Sequence, residues 1–79
     1  MGHSDRIALD RWAAHRDAEA FREIVTRHSA MVLSTCWRIL GNGTEAEDVT
    51  QECFEALAQS DNVTGSNVGP WLHRVATNI

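Results

Sequence analysis

Asp48, Gln51, Glu52 and Glu55 carry the most legible chemistry in the chain. They recur at i, i+3, i+4 and i+7, the repeat of a single helical face. No Lys or Arg stands four residues on to pair with them. An acidic-amide face of this kind is either solvated surface or a docking surface. As a docking surface it would accept charge-assisted hydrogen bonds from an arginine-bearing partner.

Catalytic and metal chemistry find no comparable pattern. His3, His15, His28 and His73 are scattered, with no His-Glu-x-x-His spacing, and read as solvated helix positions. Cys36 and Cys53 fall on apolar faces and read as small core residues, and no Cys-x-x-Cys zinc pattern occurs. The expectation is a non-enzymatic chain that needs no cofactor and no metal.

Composition bounds the partners. Seventy-nine residues suit one domain, and the formal net charge is −4 with all seven basic residues arginine. Bulk attraction to nucleic acid needs clustered positive charge, so any DNA contact must be local or shared with a larger assembly. No signal-peptide pattern and no apolar run of about 20 residues is present, which reads as a soluble, cytoplasmic chain.

The acidic face needs a helix to carry it. Gly41-Asn42-Gly43 breaks the chain, and Thr44 then stands as an N-cap with Glu47 placed to complete a capping box. Ala46, Val49, Cys53 and Leu57, with Phe54 beside them, form the apolar stripe of a helix over 44–58. Upstream, Asp5 is placed to cap a short helix containing Ile7, Ala8, Leu9, Trp12 and Ala13, and residues 1–4 read as frayed. His15-Arg16-Asp17 reads as a joint with Asp17 as the next N-cap. From Ala20 to Leu40 the pattern is one bent helix or two helices divided at Ser29, ending at Gly41. The polar run 59–69 is a loop, and Pro70 opens a last helix whose Leu72, Val75, Ala76 and Ile79 face the core. No strand alternation appears. The chain reads as a single all-α domain over 1–79, a compact bundle of four to five short helices. Leu33, Trp37, Val49, Phe54, Leu57, Leu72 and Val75 are its expected core. The pattern stops at Ile79 without a C-cap, which reads as truncation within the last helix.

Three segments in order carry a family resemblance. Asp17-Ala18-Glu19-Ala20-Phe21, Ala46-Glu47-Asp48-Val49-Thr50-Gln51-Glu52-Cys53-Phe54 and Trp71-Leu72-His73-Arg74-Val75-Ala76-Thr77-Asn78 resemble region 2 of sigma-70 family factors of the extracytoplasmic-function (ECF) group. The spacings agree across residues 17–79. The resemblance implies a transcription-initiation module that docks on the clamp helices of the RNA polymerase β′ subunit through Asp48, Gln51, Glu52 and Glu55. It further implies that the loop before the last helix (Asn62, Asn67) and that helix (Trp71, His73, Arg74, Thr77, Asn78) engage the melted non-template strand of the −10 promoter element.

The sequence departs from the family in two ways. The family's last helix continues with basic residues past the position of Asn78, and its second, helix-turn-helix domain has no counterpart in these 79 residues. These residues alone are therefore expected to bind −10 DNA weakly. The alternative reading is a helical protein-interaction domain, for example one that binds an anti-sigma factor, without DNA-binding activity.

Overall fold

The computed structural model describes residues 2–60, 63 and 67–78. Four helices follow one another, α1 (Gly2–His15), α2 (Ala18–Leu40), α3 (Gly43–Gln59) and α4 (Val68–Thr77), and no strand occurs among the described residues. α2, with 23 residues, is the spine, and α1, α3 and α4 all pack on it, with α4 also against α3. Ala20, Ile24, Val32 and Cys36 on its inner side meet Ala8 and Leu9 of α1, Ala46, Cys53, Phe54 and Leu57 of α3, and Val68, Leu72 and Ala76 of α4 in one apolar cluster. The periodicity over 20–40 resolves as one helix, uninterrupted at Ser29.

The helix ends show local chemistry at work. Asp17 takes extended backbone (φ −73°, ψ 104°), and its carboxylate accepts from the backbone N–H groups of Glu19 and Ala20. Two donors that α2 cannot satisfy internally are thereby met. At the other end Gly41 adopts φ +68° and donates its N–H to the Trp37 carbonyl at 2.7 Å. A side chain would make that left-handed turn costly.

Six expectations need correction. Residues 2–4 are helical within α1 rather than frayed, and α4 starts at Val68, two residues before Pro70. The N-cap of α3 is Asn42, whose side-chain oxygen accepts from the N–H groups of Thr44 and Glu45, so the cap lies two residues before Thr44. The reason is tertiary. Gly43 opens the helix against the Trp37 ring, where a Cβ would come within 2.6 Å of a ring carbon. Asp5 is no cap either. It lies inside α1, is buried, and bonds Arg27 and His28 of α2. His28 is accordingly half-buried rather than solvated. Trp37 is 53% exposed instead of in the core, since it lies on the outside of α2 with Gly43 against its ring. Phe54, Leu57 and Leu72 are buried, while Leu33, Val49 and Val75 are half-buried at the margin of the core. Ile79 lies outside the described residues.

Candidate functional site

α3 displays two chemically distinct sides. Ala46, Cys53, Phe54 and Leu57 point into the bundle, and Asp48, Gln51, Glu52 and Glu55 are all exposed. The residues singled out by spacing thus share one outward face of a single helix. Glu45 and Glu47 are exposed as well, so α3 carries five exposed carboxylates with no cation of its own.

Beside that face runs a feature invisible in the linear pattern. Between α2 and α3 lies a groove of ≈ 430 Å³ whose floor is Phe21, Val25, Phe54 and Ala58. Glu47, Gln51 and Glu55 stand along its α3 edge, and Ser29 and Thr50 also line it. The groove continues toward Ala30 and Leu33. The Thr50 hydroxyl oxygen is buried with no hydrogen-bond partner. An apolar floor with an anionic edge suits an amphipathic helix that carries arginine or lysine beside its apolar residues.

The lower end of this groove is held by the joint between α1 and α2. Arg16 has φ +50°, a conformation that non-glycine residues seldom adopt. Its guanidinium lies 4.9 Å from the Trp12 ring centroid and donates to the Ala58 carbonyl at 3.4 Å. Trp12 in turn packs against Phe21, with centroids 4.8 Å apart and planes tilted by 46°. The last turn of α3 has no basic residue of its own, so Arg16 supplies positive charge where the helix dipole is negative. On the surface beside it, Arg11 grips Asp17 at 2.7 Å and Glu23 at 3.4 Å. The hydrogen bond from Arg11 holds the Asp17 carboxyl below its ordinary range, assisted by the Ala20 and Glu19 N–H groups.

The second set of candidate residues lies on α4. Leu72 and Ala76 anchor it in the core, while Trp71 and Val75 are half-buried. His73, Arg74 and Thr77 are exposed on the helix, with Asn67 exposed at its N-cap and Asn78 exposed at its C-cap. The Thr77 hydroxyl donates to the Arg74 carbonyl at 3.0 Å. Asn62 lies outside the described residues. The α4 residues occupy one helix and its caps, and they are separate from the acidic face of α3.

Sequence reasoning missed one further group. Asp5 on α1 receives a hydrogen bond from Arg27 and, at 2.9 Å, meets His28 Nε2, which ties α1 to α2 through a carboxylate with 9% side-chain exposure. The His28 ring also lies against the first turn of α4 at Gly69. Cys36 and Cys53 are both buried free thiols, and burial pushes the Cys53 thiol up to about 11, with Cys36 adding to the effect. Among the described residues no group of three His, Cys, Asp or Glu side chains could hold a metal ion, and no helix is long and apolar enough to cross a membrane.

Comparison with known proteins bears on this arrangement. The model of sigma-70 region 2 matches residues 24–79. The chain is 38% identical over 65 residues to the ECF RNA polymerase sigma factor SigW of Bacillus subtilis, covering 80% of this chain and 35% of that protein. It is 38% identical over 58 residues to the ECF RNA polymerase sigma factor SigE of Mycolicibacterium smegmatis, covering 72% and 23%. It is 33% identical over 70 residues to the ECF RNA polymerase sigma factor SigL of Mycobacterium tuberculosis, covering 85% and 40%. The chain therefore spans well under half the length of these relatives. No solved structure gives a significant match.

Proposed function

Since the chain belongs to the sigma-70 region 2 family, with ECF sigma factors among its relatives, we propose that it is the polymerase-docking and promoter-melting module of a transcription initiation factor. It binds and positions, and performs no bond chemistry. The observation that carries this reading is the side-by-side placement on α3 of an unmixed acidic-amide face and an apolar groove.

Docking on the β′ clamp helices uses both features. Apolar side chains of the clamp enter the Phe21–Val25–Phe54–Ala58 groove, and clamp arginines bond Asp48, Gln51, Glu52 and Glu55. Charge complementarity speeds encounter and fixes register, while groove burial supplies most of the residence time. Asn67, Trp71, His73, Arg74, Thr77 and Asn78 then face the melted −10 strand together with the preceding loop and Asn62. Unstacked bases are held there by edge hydrogen bonds and by the half-exposed Trp71 ring.

Two variants separate the halves of the proposal. In assembly assays with core RNA polymerase, Glu52→Arg with Glu55→Arg should abolish retention of the chain. Arg74→Ala with Asn78→Ala should preserve retention and lose capture of single-stranded −10 DNA by the assembled complex. Retention of a folded Glu52/Glu55 variant at the level of the parent would overturn the docking assignment.

A further inference from the structure

The eleven carboxylates are unevenly placed. None lies between Glu23 and Glu45, and none follows Asp61. Those two carboxylate-free stretches are the C-terminal half of α2 and the whole of α4, and the fold packs α2 and α4 together. Where their outer sides meet, Thr35, Arg38 and Ile39 of α2 share a cleft with His73 and Thr77 of α4. Arg38 also lines the next groove along α2 with Trp37, Ala30, Leu33 and Ser34. It thus stands at the seam between the polar face of α4 and a half-exposed indole.

Five cationic or titratable nitrogen side chains lie in this sector, Arg27, His28, Arg38, His73 and Arg74. Arg27 and His28 are engaged by Asp5. Arg38, His73 and Arg74 are exposed, and no ion pair to them occurs among the described residues. A chain of net charge −4 therefore presents two arginines without ion pairs among the described residues, on surfaces of α2 and α4 whose own residues include no carboxylate, on the side that includes the α4 candidates.

Resting on the DNA reading above, we infer that the nucleic-acid surface does not end at α4 but continues onto α2, where Arg38 binds a backbone phosphate of the same strand. The guanidinium fork matches phosphate geometry, and the exposed His73 ring shares the cleft with it. Phosphate contacts of this kind set register without reading sequence. Arg38 is a positioning residue for the strand whose bases α4 meets.

The test uses the chain assembled with core RNA polymerase and a fluorescent single-stranded oligonucleotide carrying the −10 element, titrated over a salt series. Arg38→Ala should weaken binding several-fold and reduce the slope of log affinity against log salt by about 0.7, one single-strand phosphate contact. Arg38→Lys should restore the slope. Arg22→Ala, which removes an arginine set between Glu19 and Glu23, should change neither quantity. Arg38→Gln repeats the measurement with the aliphatic stem kept, in case Arg38→Ala disturbs α2. Parent-like binding by the Arg38 variants, with Arg74→Ala weakened, overturns the extension onto α2 and leaves the α4 reading standing. Equal losses for Arg38→Ala and Arg22→Ala overturn it in favour of bulk charge. Parent-like binding by the Arg38 and Arg74 variants alike overturns the DNA reading itself and this inference with it.

Discussion

Asp5 shows how a single buried carboxylate organises its surroundings. Its two oxygens are shared between Arg27 and His28, so Asp5→Ala strands a guanidinium and an imidazole that now have a partner. Because Arg27 remains partly open to solvent, the expected loss is nearer a charged hydrogen bond, about 1.5–3 kcal/mol, than a fully buried ion pair. A urea titration of the variant measures it. The thiols give a second residue-scale test. Cys53 titrates at about 11 in the folded chain against 9.0 ordinarily. The unfolded chain loses that proton first, so stability should fall as pH rises from 9 through about 11, and the Cys53→Ala variant should lack that part of the slope. Both thiols are buried and should resist alkylation until denaturant exposes them. The thiols were legible in the sequence as core residues on apolar faces, and the Asp5 cluster was not. Asp5 looked like a cap because its partners stand 22 and 23 residues away, beyond any local pattern.

At the scale of the element, α3 packs one face in the bundle and presents an acidic face outward. Phe54 is 6% exposed in the α2–α3 contact, and Phe54→Ala should cost about 3–5 kcal/mol in a thermal or chemical melt. The start of α3 is a coupled device. Gly43→Ala should destabilise the chain by driving a methyl group into the Trp37 ring, and adding Trp37→Ala should recover that part of the loss. The positions of the helices were readable from breakers and periodicity. Asp17, Gly41 and Pro70 fall where helix physics wants a cap, a left-handed turn and a first-turn proline. The apolar stripe of α3 and the outward face opposite it were readable too. The cap at Asn42 was not, since Asn42 and Thr44 are both good cap formers and the ring on Gly43 decides between them. Trp37 was misplaced for a related reason. Period counting assigns it to the stripe of Leu33 and Leu40, but the bundle does not cover the full width of that stripe. The groove between α2 and α3 is a property of two helices at once and has no signature in either alone.

For the molecule as a whole, charge is divided between two surfaces. α3 offers carboxylates beside an apolar groove, and α4 with the end of α2 offers a carboxylate-free surface with Arg38 and Arg74. One chain can then hold a cationic protein surface and an anionic strand simultaneously without either partner meeting like charge. With net charge −4 and few cations on the proposed DNA side, these residues alone should capture −10 DNA weakly, and anisotropy with and without core polymerase would show the difference. The central claim is that the α3 face docks on the polymerase clamp. Calorimetric titration of a β′ clamp-helix fragment into the parent and into a Gln51→Ala, Glu52→Arg double variant tests it most directly, with circular dichroism confirming that both are folded. The account predicts a loss of about 2–5 kcal/mol in binding free energy with an unchanged helical spectrum. Equal affinity for the parent and a folded double variant would contradict it and return this face to ordinary solvated surface.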